Sequence, residues 1–203
     1  MFFYCFLSKY EIKKKAIEKH LNNFQNLSKE REFKEFIFCM LTPQSNAKKC
    51  WEAIEQISNL NKLNNLNIVN ILKTKTRFHN NKTISILKAK DTWNQIYSNL
   101  KNQNKLETRN NLAKQVRGYG LKEASHFLRN IGQSNNEIAI LDRHIIRNLA
   151  EIGIIKKEDS KIKNQKHYLE LEQKFLKFSK EINIPIDHLD LLFWSQETGE
   201  LFK

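Results

Sequence analysis

The run Gln115–Val116–Arg117–Gly118–Tyr119–Gly120–Leu121–Lys122 puts two glycines one residue apart with a lysine just after them, and Asp142 follows within Leu141–Asp142–Arg143–His144. Glycines in a tight turn permit positive φ and close approach, so two helices joined by such a turn aim backbone N–H groups at a phosphate. Arg117 and Lys122 flank that turn and add charge for the same anion. A lysine amine without its proton is a nucleophile, and a helix N-terminus, neighbouring cations and partial burial all disfavour the ammonium. A carboxylate facing it stabilises a developing cation and assists proton transfer. Each feature also has a plain alternative. A bare Gly-x-Gly is usually an ordinary interhelical turn, a lysine in a first helical turn is usually a solvated charge, and an aspartate before a helix is usually an N-cap.

The elements that position these residues are read from composition and periodicity. The 203 residues include only 5 Gly and 2 Pro, too few for the tight turns of an all-β fold, which favours helices joined by short polar loops. Net charge is +13 in a chain that also carries 22 acidic residues, a bias toward an anionic partner. Cys5, Cys39 and Cys50 form no CxxC pair, so neither a disulfide framework nor a cysteine-bound metal cluster is expected, and a reducing cytosol fits best. The six histidines form no HxxxH pair, so no metal and no cofactor is expected. Met1–Leu7 is apolar but too short for a membrane span and lacks signal-peptide flanks, which makes it a packed terminal segment.

Along the chain, Ile12, Ala16, Ile17, Leu21 and Phe24 predict an amphipathic helix from Lys9 to Leu27, and Phe33 to Leu41 a more buried one. Thr42–Pro43–Gln44–Ser45–Asn46 breaks the pattern, with Ser45 or Asn46 capping the next helix. Asn59–Asn67 reads as a polar loop or frayed helix end, and Arg77–Lys82 as a polar junction carrying Phe78 as an exposed aromatic. Ile84 and Leu87, then Trp93 to Leu100, predict two further helices, and Leu106–Val116 another. A helix on Leu121, Ala124, Leu128 and Ile131 closes at Gly132; the last helix opens at Pro185 and ends at Gly199.

Val116 to Ala124 resembles the helix-hairpin-helix of the DNA glycosylase superfamily that includes endonuclease III, and Asp142–Arg143–His144 resembles its catalytic-aspartate segment. With Lys122 to Asn130, Leu41–Thr42–Pro43–Gln44 and Trp194 to Lys203, the chain is similar to the type 2 8-oxoguanine DNA glycosylase/AP lyase family from about Phe33 onward. That resemblance implies an all-α fold of two helical subdomains with the active site in the cleft between them. One would run from about 30 to 131, with the hairpin near 107–131, and the other from 1–29 plus 132–203.

It also implies roles. Lys122 would be the nucleophile that attacks C1′, expels 8-oxoguanine and forms a Schiff base for β-elimination, with Asp142 as its partner. Phe78 and Trp194 would sandwich the flipped base, and the carboxylate of the terminal Lys203 would accept the N7–H that guanine lacks. Gln44 would face DNA near the vacated position, with Arg117, Gly118 and Gly120 on the backbone. The expected partner is double-stranded DNA with 8-oxoguanine or abasic sites, bound by a cytoplasmic, nucleoid-associated monomer. Two other readings compete. One is an endonuclease III-like enzyme for oxidised pyrimidines, disfavoured because no cysteine follows Cys50 to build that group's iron–sulfur motif. The other is a hairpin module that grips DNA without chemistry.

Overall fold

Short polar side chains start most of the helices. Ser28, Asn46, Asn64, Asn104 and Asn164 each accept a hydrogen bond from a backbone N–H in the first turn of the helix that follows. Asparagine supplies four of these five caps. The computed structural model describes residues 2–60, 63–100 and 104–202, and among them the chain forms ten α-helices and no strand. They group into two units, Leu27–Phe127 and the residues up to Asn26 together with those from Leu128 on.

The middle unit holds α2 (Lys29–Leu41), α3 (Ala47–Ser58), α4 (Asn65–Lys73), α5 (His79–Leu100), α6 (Lys105–Gln115) and most of α7 (Leu121–Asn130). Helix α2 is its axis: Phe36 to Leu41 are all at most 3% exposed. The Phe36 ring lies 4.9–5.2 Å from those of Tyr119, Phe127 and Trp93, and burying one such ring stabilises by about 1.5–3 kcal/mol. The Tyr119 hydroxyl donates to Phe36 O at 2.8 Å, which pins the turn before α7 onto α2. Burial pushes that phenol well above its ordinary range.

The other unit is built from α1 (Phe2–Asn22), α8 (Arg143–Glu151), α9 (Gln165–Glu181) and α10 (Ile186–Thr198). Phe6 packs on Phe178 and Phe193, and Tyr10 meets His188 Nδ1 at 2.9 Å. Arg129 pairs with Asp190 at 3.1 Å, its guanidinium over the Phe24 ring. Two buried groups of α9 fasten the apolar segment before α8. Glu172 Oε1 accepts from Ala139 N, while the Tyr168 hydroxyl donates to Ala139 O and accepts from Leu141 N.

Two expectations about helices change. Residues 79–100 form one helix where two were predicted, because Lys88–Thr92 contains no glycine or proline to stop it. Helix α1 begins at Phe2 and buries Phe6, Tyr10 and Ile17, which leaves Ile12 78% exposed on the opposite face. Ile12 and Ala16 therefore do not belong to its core stripe.

Candidate active site

The turn between α6 and α7 is tied down from inside. Tyr119 N donates to Val116 O, and Gly118 takes φ +88°, a conformation that disfavours any side chain. A Cβ there would also sit 3.3 Å from Met40 Cγ and from Ser85 Oγ, so close packing on α2 and α5 asks for glycine as well. Gly120 N donates to Glu123 Oε2 at 3.0 Å, the back-reaching half of a capping box that starts α7. With the Tyr119 and Gly120 amides engaged, a DNA phosphate would be met by other groups of the turn, where Arg117 and Gly118 are exposed. Lys122 is the second residue of α7; its side chain is 21% exposed, with Nζ 3.7 Å from Glu123 Oε1.

The same unit carries Gln44 and Phe78, both exposed and both in the left-handed region, at φ +54° and +58°. A single buried side chain underlies them. Lys82 Nζ donates to Leu41 O at 2.7 Å, Pro43 O at 3.0 Å and Ser45 Oγ at 2.8 Å. Ser45 Oγ also accepts from Arg77 N, and Lys82 N donates to Phe78 O. Burial lowers the Lys82 ammonium to about 8, with Cys50 opposing and Lys122 adding to the effect. The Cys50 thiol, which donates to Leu41 O, is itself pushed up to about 11 by burial.

Asp142 lies in the other unit as the N-cap of α8. Its Oδ1 accepts from His144 N and Ile145 N, each at 2.8 Å, and its second oxygen plays no part in the cap. Trp194 on α10 is half-buried and meets the His144 ring edge to face at 5.4 Å. Burial lowers the His144 imidazole below its usual range, against the pull of Asp142 and with Arg143 and Arg147 adding to it. Glu197 pairs with Arg147 and accepts from Asn148 Nδ2 at 3.1 Å, which joins the end of α10 to α8. Lys203 lies outside the described residues.

A sequence profile of the 8-oxoguanine DNA glycosylase family matches residues 14–184. The chain belongs to the 8-oxoguanine DNA glycosylase family. The 8-oxoguanine DNA glycosylase/AP lyase of Fusobacterium nucleatum is 35% identical over 94% of this chain and 90% of its own. The crystal structure of the 8-oxoguanine DNA glycosylase of Methanocaldococcus jannaschii superposes with a TM-score of 0.87 at 31% identity, covering 99% of this chain and 97% of that one. The same enzyme in complex with a 15mer DNA containing 8-oxoguanine gives 0.85 at 31% identity over 97% and 98%.

Within this family member, the middle unit gathers Gln44, Phe78, Arg117, Gly118, Gly120 and Lys122, and the other unit gathers Asp142 and Trp194. Sequence reasoning missed Lys82. Its only signal is its place, one turn after Phe78 in a stretch that reads as polar junction, and nothing local distinguishes a buried lysine from a solvated one.

Lys82 carries a prediction about stability. Its amine binds a proton less well folded than unfolded, so between about pH 8 and the ordinary lysine range the unfolded chain holds the extra proton. Stability contributed by Lys82 therefore rises with pH across that window and is lost as pH falls through 8. Urea unfolding of wild type and Lys82→Met at about pH 7.5, just below that window, and about pH 9.5, within it, measures it. The wild type should gain on the variant as pH increases, and a constant difference would contradict the assignment.

Proposed function

We propose that this chain excises 8-oxoguanine from duplex DNA and cleaves the resulting abasic strand. The observation that carries the reading is Lys122 at the N-terminus of α7, directly after the glycine turn, in a chain of this family. The Lys122 amine attacks C1′, the bond from C1′ to N9 breaks, and the base leaves with that electron pair and takes up a proton. Ring opening gives a protonated Schiff base, loss of a 2′ proton follows, and the C3′–O bond breaks by β-elimination. Asp142 stabilises the cationic sugar with its carboxylate. Phe78 and Trp194 hold the extruded base, and Lys203 takes part in reading its edge. Gln44 faces the duplex at the vacated position, and the DNA backbone is met by Arg117 and the exposed turn at Gly118, with Gly120, whose amide is taken by Glu123, letting the two backbones approach closely. No described helix is long and apolar enough to cross a membrane, and a chain that acts on DNA in this way would work at the nucleoid in the cytoplasm.

The test compares duplexes containing 8-oxoguanine, thymine glycol or an abasic site, each incubated with borohydride, which reduces the Schiff base to a stable amine. Wild type should trap on 8-oxoguanine and abasic DNA and not on thymine glycol. Deleting Lys203 should lower trapping on 8-oxoguanine by about 10-fold or more, the loss expected when a site loses a polar group that reads its substrate, and leave abasic trapping unchanged. Trapping on thymine glycol and abasic DNA but not on 8-oxoguanine would assign the chain to oxidised pyrimidines, and duplex binding without any trapping would leave only a DNA-binding module.

A further inference from the structure

Resting on the reading that Gln44 meets DNA, we propose that Lys82 is a positioning residue for base displacement, its three-fold grip on residues 41–45 holding Gln44 in the conformation that enters the duplex. Four observations carry this. The Lys82 side chain is buried and its amine donates to three acceptors spaced along one short segment, at 2.7–3.0 Å. The residue at the crest of that segment, Gln44, is exposed and left-handed, a conformation that a non-glycine residue keeps only where its surroundings hold it. Ser45 Oγ accepts from both Lys82 Nζ and Arg77 N, so the segment is also tied to the residue before Phe78. The Lys82 backbone N–H returns to Phe78 O, so one residue braces both left-handed positions.

A lysine suits this task because its ammonium supplies three donors from one point at the end of a flexible stem. Methionine matches the stem in length and apolar character and supplies no donor. In Lys82→Met, Leu41 O and Pro43 O lose their short bonds to the amine, and the longer ones remain, at 3.3 Å from the Cys50 thiol and 3.4 Å from the Ser45 hydroxyl. Gln44 is then free to leave the left-handed region.

The test uses full-length protein carrying Lys122→Gln, which halts the chemistry, and duplex DNA with 2-aminopurine beside 8-oxoguanine. The fluorescence of 2-aminopurine rises as its neighbour leaves the stack. Adding Lys82→Met should remove most of that rise while duplex affinity, read by anisotropy, changes by less than about 3-fold, since Lys82 reaches no phosphate. Ser45→Ala, a milder change in an accessible loop, should remove part of the rise. On an otherwise wild-type chain, Lys82→Met and Gln44→Ala should each slow single-turnover excision by about 10-fold or more, and the double variant should be little slower than the slower single one, because both act through the same loop. An undiminished fluorescence rise, a parallel loss of affinity, an unimpaired single variant or a double variant whose loss is the product of the two would overturn the proposal. A parent that binds but gives no fluorescence rise would instead count against excision itself.

Discussion

Lys122→Gln forms no covalent complex with 8-oxoguanine duplex under borohydride, and its single-turnover excision falls by about 10³-fold or more. The size of the effect follows from the bond that is lost: an amide nitrogen has no free lone pair with which to attack C1′. The fold is expected to survive. Lysine and glutamine are nearly equal helix formers, and the contact given up is one partly exposed approach of 3.7 Å to Glu123, worth about 0–1 kcal/mol. Glu123 keeps its bond to Gly120 N, so the start of α7 is unaltered. Melting temperature and duplex affinity measured beside the rates separate the two roles of a lysine at this place. A drop in affinity with rates little changed would make Lys122 a phosphate contact.

Asp142→Asn retains the melting temperature of wild type and loses about 10²–10⁴-fold in excision. The argument lies in the cap. Asp142 Oδ1 takes the N–H groups of His144 and Ile145 at 2.8 Å, and an asparagine Oδ1 does the same, the two residues being equivalent N-caps. What asparagine lacks is the charge that, in the proposed mechanism, faces a cationic sugar. Asp142→Ala removes both and should cost about 1 kcal/mol of stability besides the rate. Thermal unfolding together with single-turnover kinetics for the two variants tests this, and an asparagine variant at full rate would make Asp142 a cap alone.

Much of this was legible in the primary structure because it is local. The paucity of Gly and Pro and the 3.6-residue periodicity announced an all-helical chain. Asn46 and Asp142 sit where a cap must sit, and the αL ends at Gly132 and Gly199 lie where the apolar pattern stops. The Gly118 turn and the position of Lys122 at the start of α7 are equally local, since a few neighbouring residues determine them. Local signals are weaker elsewhere: Ile12 fits the apolar period of α1 yet lies on its exposed face, and the polar stretch Lys88–Thr92 interrupts the apolar pattern of a helix that runs on unbroken.

The glycine turn, its lysine and the capping aspartate were thus determined by the sequence itself, through backbone sterics and hydrogen bonds that span a few residues. Tertiary structure decided what surrounds them. Gly118 must be small partly because Met40 and Ser85 press on it, and the amide of Tyr119 is consumed within the turn. Lys82 is a buried clamp because α5 happens to pass beneath the end of α2, some forty residues earlier in the chain. A lysine's stem and charge are the same in solvent and in a core; only the carbonyls that three-dimensional folding brings to its amine tell the two apart.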